Sequence, residues 1–195
     1  MISELEQGLV RRVHEGDAAA FEELLAAHRA SAFRVATVVL GSAHGADDVV
    51  QDASVRAWRS MSGVDAERGF RSWYLHVVAN TARNDRRSRG RRAALALRLE
   101  AQPGRDAADP EEHAVTDADR RRVIDAMNRL DRDDRLVIAL RHFEQLSENE
   151  MADVLGCPNG TVKSRLSRAM SRLRAQLIHD DPFHGDPNHD DAGER

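Results

Sequence analysis

Apolar residues recur at helical spacing through nearly every segment of this 195-residue chain, and no window alternates with period two for long enough to suggest a sheet. An all-α fold follows. Asp17 stands where it can cap a helix carrying Phe21, Leu24, Leu25, Ala32, Val35 and Val39, which stops near Gly41. A second helix begins after Gly45. One face holds Ala46, Val49, Val50, Ala53, Ala57 and Trp58, and the opposite face holds Asp47, Asp48, Gln51, Asp52 and Arg56. Ser62 to Gly69 reads as a loop. A third helix buries Phe70, Trp73, Tyr74, Val77, Val78 and Thr81 and then runs into a stretch of arginines.

The periodicity breaks between Glu100 and Glu112, where Pro, Gly, small and acidic residues mark a linker. It resumes with Val123, Ile124, Met127 and Leu130, and again with Leu136, Val137, Leu140 and Phe143. The expected layout is two small helical domains, 1–99 and 113–178, joined by a flexible linker, 100–112, and followed by an acidic disordered tail, 179–195.

Hydrophobic residues make up 41% of the chain and charged residues 32%, so the cores are modest, and 4% aromatics argues against a large aromatic-lined pocket. No apolar run approaches the ~18 residues of a membrane span, and Met1 to Glu4 lacks a signal-peptide pattern. Cys157 has no second cysteine for a disulfide or a Cys-based zinc cluster. These features predict a cytoplasmic protein without membrane insertion.

A net charge of −4 is unusual for a nucleic-acid binder until it is mapped. The tail from His179 to Arg195 holds six acids and one Arg, which leaves the remainder slightly positive. From Arg83 to Arg98 seven Arg stand against the single acid Asp85, and from Thr161 to Ile178 there are five bases and no acid. Two such stretches suit phosphate binding, although solvated helix faces have the same appearance.

The sharpest local signal lies between Ser147 and Leu177. Ser147 and Glu150 form a capping-box pair, Gly156 suits a left-handed turn, and Pro158 stands at the start of the next helix. Small Ala152 permits a close helix crossing, with Leu155 and Val162 as the apolar contact, which is the spacing a helix-turn-helix needs. The second helix presents Asn159, Thr161, Lys163, Ser164, Ser167, Arg168 and Arg172 outward, with Leu166, Ala169, Met170, Leu173 and Leu177 inward. Short polar side chains near its N-terminus can reach base edges in the major groove, and the basic ones bases or phosphates. An ordinary helical hairpin is the plain alternative; a helix of this length without an acid favours DNA.

The segment "GCPNGTVKSRLSRA" (Gly156 to Ala169) resembles the −35-reading helix-turn-helix of extracytoplasmic-function (ECF) sigma factors of the sigma-70 family. "ADDVVQDASVRAWRS" (Ala46 to Ser60) resembles their polymerase-docking segment, and "FRSWYLHVVANTARNDRR" (Phe70 to Arg87) their −10-element segment. The motifs stand in the family's order, so the resemblance covers about Asp17 to Leu177. It implies a sigma region 2 domain, a sigma region 4 domain and an alternative sigma factor that binds core RNA polymerase, recognises −10 and −35 elements and promotes melting. Asp47, Asp48, Gln51, Asp52 and Arg56 would then meet the clamp helices of the largest subunit, and the second domain the flap of the second-largest. Asn80, Arg83, Asn84, Arg86 and Arg87 would face the −10 DNA, and the 61–69 loop would help hold a flipped base. Trp73 and Tyr74 could stack on bases, but their helical spacing with Phe70 and Val77 places them in the core. An anti-sigma factor is a further partner implied by resemblance only.

Two rival readings are a free-standing helix-turn-helix regulator and an enzyme. The first leaves the N-terminal domain unexplained and lacks an obvious dimer helix. For the second, His44, Asp47, Asp48 and Asp52 lie on one helix without a converging partner motif, and the glycines at 41, 45, 63 and 69 form no phosphate loop. No catalysis, cofactor or metal is expected. His179, His184 and His189 could bind a divalent metal, but a solubilising end accounts for them more simply. Cys157 reads as a small turn residue.

Overall fold

The computed structural model describes residues 4–64, 69–97 and 117–179, which form eight α-helices and one short 3₁₀ turn, with no strand among the described residues. The all-α expectation holds. The 100–112 linker, most of the 61–69 loop and the tail beyond residue 179 lie outside the described residues.

The first helix, α1 (Glu4–His14), has no counterpart in the sequence reading, because its buried stripe is only Leu9, Val10 and Val13. Asp17 joins it to α2 (Ala18–Leu40). One carboxylate oxygen accepts the N–H groups of Ala19 and Ala20 at 3.0 and 3.1 Å, while the other takes both Nε and Nη2 of Arg12. The cap thus satisfies two free helix donors and closes the turn behind them. At the far end Gly41 takes φ +82°, and its N–H returns to Thr37 O.

α3 (Ala46–Ser60) and α4 (Phe70–Leu97) complete the N-terminal domain around an aromatic centre. Phe70 is stacked on Tyr74 at 5.3 Å between centroids, meets Phe21 edge-on at 6.1 Å and touches Trp73 at 5.7 Å. The buried Tyr74 hydroxyl pairs with Ser54 Oγ at 2.8 Å, so no polar group is left unpaired there. Trp58 is a correction. It follows buried Ala57 by one residue, a rotation of about 100°, and lies at the rim over Phe21, 44% exposed.

The second half comprises α5 (Asp117–Arg129), α6 (Arg132–His142), α7 (Glu148–Leu155) and α8 (Asn159–His179). Ala126, Met127, Leu130, Ile138, Ala169 and Leu173 form a small core of α5, α6 and α8. Val123 and Ile124, read as apolar-face residues, are exposed, because Ala126, Met127 and Leu130 already fill that contact. Phe143 caps the C-terminus of α6 and projects into solvent.

Beside that small core, the second half shares a larger one with the first. One buried cluster runs from Leu9 through Ala82 and on to Leu136, Val137, Leu140, Leu146, Met151, Val154 and Val162. α6 packs on α2, and α7 on α4. A charged cluster accompanies this contact. The Glu144 side chain is 2% exposed, and Arg34 of α2 donates Nε to its Oε1 at 2.6 Å. Arg71 of α4 donates Nη2 to Oε2 at 3.0 Å and to the Glu144 carbonyl at 2.9 Å. A charge this enclosed is tolerated because two cations and several hydrogen bonds meet it.

Burial pushes the Glu144 carboxyl up, but the bonds from Arg34, Ser31 and Arg71 outweigh it and leave it below its ordinary 4.5. A carboxyl depressed in the folded state contributes stability that is whole above that ordinary value and is lost as pH falls through the depressed one. The difference in thermal midpoint between wild type and Glu144→Gln is therefore expected to be widest above pH 4.5 and to shrink on further acidification. Scanning calorimetry of both proteins across pH 3–7 checks this.

Candidate nucleic-acid interface

The helix-turn-helix forms as its residues dictate. Ser147 Oγ accepts the Glu150 N–H at 3.3 Å while the Glu150 carboxylate accepts the Ser147 N–H at 2.8 Å, a reciprocal capping box. Gly156 closes α7 at φ +64°. Pro158 stands one residue before α8, where its carbonyl accepts from Thr161 and Val162. Val162 is fully buried between the two helices, with Ala152 and Leu155 half-buried beside it. Cys157 is a free, half-buried turn residue.

Asn159, Lys163, Ser164, Ser167, Arg168 and Arg172 are exposed on α8, and Thr161 is half-buried. Most already have local partners. Asn159 pairs with Asn149, Lys163 Nζ with Glu148 Oε2 at 3.3 Å, Ser164 Oγ with the Thr161 carbonyl, and Arg168 Nε with the Ser164 carbonyl. Arg172 pairs with Asp134 and, at 3.3 Å, with Asp131, the N-cap of α6. Its guanidinium therefore ties α8 to α6 as well as facing outward. On the inner face Ala169 and Leu173 are buried, and Leu166, Met170 and Leu177 are half-buried.

The two basic stretches, remote in sequence, converge. A cleft of 710 Å³ is lined by Arg86 of α4, Arg132 and Arg135 of α6, and Arg165, Arg168 and Arg172 of α8, with Asp131, Asp133 and Asp134 among them. Arg135, which sequence reasoning passed over, spends its donors on the carbonyls of Met127, Asn128 and Leu130 and so satisfies the end of α5.

Along α4, Asn84 and Arg87 are exposed, whereas Asn80, Arg83 and Arg86 are half-buried. His76, also absent from the sequence reading, explains part of this. Asn80 Nδ2 donates to His76 Nε2 at 2.7 Å, so the ring proton lies on Nδ1, which donates to the Val154 carbonyl of α7 at 3.1 Å. Arg83 Nη1 donates to Asn80 Oδ1 at 3.1 Å and fixes the orientation of that amide. Burial lowers the Arg83 pKa; Asp133 opposes this, and Arg165, Arg86 and Arg87 add to it. Tyr74 is core, and Trp73 is half-buried against Phe70.

On α3, Asp47, Asp48, Gln51, Asp52 and Arg56 are all exposed, opposite buried Ala46, Val49, Ala53 and Ala57. Beside them a 660 Å³ groove between α2 and α3 is lined by Leu25, Ala26, Arg29, Val50 and Ser54, with Tyr74 at its floor. Among the described residues no group of three or more His, Cys, Asp or Glu is placed to hold a metal, His44 and its neighbours included. No described helix is long and apolar enough to cross a membrane.

Gly156→Ala should cost about 1–2 kcal/mol of stability, because a left-handed residue with a Cβ is strained. The added methyl itself meets only the His76 ring, at 3.5 Å. Urea denaturation measures this, and an unchanged midpoint would refute it.

Residues 24–92 match the sigma-70 region 2 family, and residues 120–173 match sigma-70, region 4. The RNA polymerase sigma-H factor of Pseudomonas aeruginosa is 32% identical over 185 residues, covering 91% of this chain and 96% of that protein. The ECF RNA polymerase sigma-E factor of Haemophilus influenzae is 32% identical over 180 residues, covering 88% and 95%. Among solved structures, CnrH in complex with the cytosolic domain of CnrY aligns with a TM-score of 0.65 at 29% identity, over 91% of this chain and all of that one. The sigma factor RpoE of Bartonella quintana, in complex with the anti-sigma factor NepR, aligns with a TM-score of 0.67 at 26% identity, over 83% and 98%.

Proposed function

The chain belongs to the extracytoplasmic-function sigma factors of the sigma-70 family, and from that premise we propose how its surfaces divide the work of initiation. The observation that carries the proposal is the acid-free, exposed face of α8 behind a properly capped turn. Its N-terminal residues Asn159, Thr161, Lys163 and Ser164 would enter the major groove of a −35 element, with Ser167, Arg168 and Arg172 reaching bases or phosphates. The partners of Asn159, Lys163, Ser164 and Arg168 are local contacts on the same motif, readily exchanged for DNA atoms, whereas Arg172 is also tied to Asp131 and Asp134 at the start of α6.

On α4, Asn80, Arg83, Asn84, Arg86 and Arg87 would read and hold the −10 element. A melted strand exposes base edges and a flexible phosphate chain, which amides and guanidinium groups can bind together. Binding energy spent on the single strand, and not on the duplex, is what drives opening. The chain would perform no chemistry of its own; the polymerase would add the nucleotides, and this protein would act beside it in the cytoplasm.

Asp47, Asp48, Gln51, Asp52 and Arg56 would dock on the clamp helices of the largest polymerase subunit, and the C-terminal domain on the flap of the second-largest. A free-standing regulator has no use for that exposed acidic face. CnrH and the Bartonella RpoE each bind an anti-sigma partner or a cytosolic domain, and by analogy the groove between α2 and α3 would receive an apolar segment of such a partner here.

Run-off transcription with bacterial core polymerase tests the proposal, with new specific transcripts as the expected result. Lys163→Ala with Arg168→Ala should weaken −35-dependent initiation at least thirtyfold, from about 1–3 kcal/mol per lost contact, while core binding persists. Reversing Asp48 and Asp52 to Arg should reduce core binding first. Loss of core binding in the Lys163/Arg168 variant would mean that the domain roles are misassigned.

A further inference from the structure

We propose that the arginine cleft between α4, α6 and α8 is a binding site for a short phosphate chain, held by Arg86, Arg132, Arg165 and Arg168, and that such a chain and promoter DNA exclude one another there. The exclusion rests on the reading above; the binding of the anion does not.

Arg86 lies on α4, Arg132 opens α6, and Arg165 and Arg168 stand on one stretch of α8. Remote in sequence, they line one cleft of 710 Å³, a size within the roughly 300–1,000 Å³ of small-ligand sites. Six arginines line it against three aspartates, and Leu130 and Val137 are its apolar residues.

Internal pairing accounts for only part of this charge. Arg172 takes Asp131 and Asp134. Arg135 gives Nε and Nη2 to backbone carbonyls at the end of α5. Arg168 gives Nε to the Ser164 carbonyl and keeps its Nη groups. Arg86, Arg132 and Arg165 have no hydrogen bond or ion pair among the described residues. Of the lining carboxylates, Asp133 is left to meet them.

These cations are close enough to oppose one another. Burial lowers the pKa of the neighbouring Arg83; Asp133 works against this, and Arg165, Arg86 and Arg87 add to it. The repulsion therefore reaches from α8 to α4. Like charges held face to face are destabilising, and a multiply charged anion offsets this by meeting several guanidinium groups at once.

The wall of the cleft selects the anion. Guanidinium forks match phosphate oxygens and bind them bidentately. Cations from three helices suit a chain of phosphates better than a single one, because each unit can meet its own guanidinium group. No aromatic ring lines the cleft, so a nucleobase finds no face to stack on. Arg132 is already held in place: its Nε lies 3.2 Å from where a Cβ on Gly41 would stand, at the end of α2. It loses little freedom on binding. Arg86 and Arg168 also belong to the −10 and −35 faces, whereas Arg132 and Arg165 belong to neither. A phosphate chain on all four removes two DNA contacts, and each ligand weakens the other by the same factor.

Calorimetric titration of the full chain with inorganic triphosphate, at about 0.15 M salt, tests the site. One triphosphate should bind per chain. Arg132→Gln and Arg165→Gln, on different helices and checked for retained helical circular dichroism, should each weaken binding at least about tenfold. Arg11→Gln, on the exposed side of α1, should leave it unchanged. ATP should bind within about threefold of triphosphate, since a stacked base would add more than that. Triphosphate should also release a labelled promoter duplex from the wild type, and far less readily from the Arg132→Gln/Arg165→Gln double variant. Absence of saturable binding, or equal weakening by Arg11→Gln, would overturn the site, the latter marking a general attraction to basic surface. Much tighter binding of ATP would refute recognition through phosphates alone. Triphosphate that binds yet leaves the duplex bound would refute the exclusion. Run-off transcription judges the sigma-factor reading separately, so failure of one is distinguishable from failure of the other.

Discussion

An ionised carboxylate is costly to enclose unless cations come with it, and in this protein the cations come from the other end of the chain. Glu144 lies more than a hundred residues from Arg34 and more than seventy from Arg71, yet its side chain is all but inaccessible to water. The placement of α6 and α7 on α2 and α4 provides for that charge, and the continuous apolar cluster beneath it provides the area. The positions of His76, Asn80 and Arg83 follow from this contact.

Most of the helical framework was legible from spacing and caps. Asp17, Gly41, Ser147, Glu150 and Gly156 sit where they stop or start helices, because each acts within a few residues of itself. The same locality explains the misses. α1 escaped because three buried residues in eleven make a short pattern. Helical spacing puts Trp58 and Phe143 on the apolar faces, but one sits a step past the buried stripe and the other at a helix end. The exposed polar faces of α3 and α8 were readable because the residues of each lie on a single helix. The roles of Arg34, His76 and Glu144 were not readable, because nothing in the sequence separates an arginine that meets a remote carboxylate from one that meets water.

The charge pattern shows how an acidic chain can present basic surfaces. The Arg cleft between α4, α6 and α8 is held together by Asp131, Asp133 and Asp134, which neutralise part of it without covering it. Two of those aspartates also serve the start of α6, one as its cap and one as the partner of Arg172. α8 is thus tied by charge-assisted contacts to the same residues that begin the helix on which it rests.

The aromatic centre of the N-terminal domain has an optical consequence. Both tryptophans, Trp58 and Trp73, and the lone tyrosine, Tyr74, fall within seventeen consecutive residues of the first half, and their rings meet Phe21 or Phe70. Intrinsic fluorescence and near-ultraviolet dichroism above the phenylalanine band therefore arise from one half alone. The helix-turn-helix carries no indole or phenol and contributes no emission of its own. An event there is seen in such spectra only when it reaches Trp58, Trp73 or Tyr74 through the first half, by way of α2 or α4, so the unlabelled chain is a one-sided optical reporter.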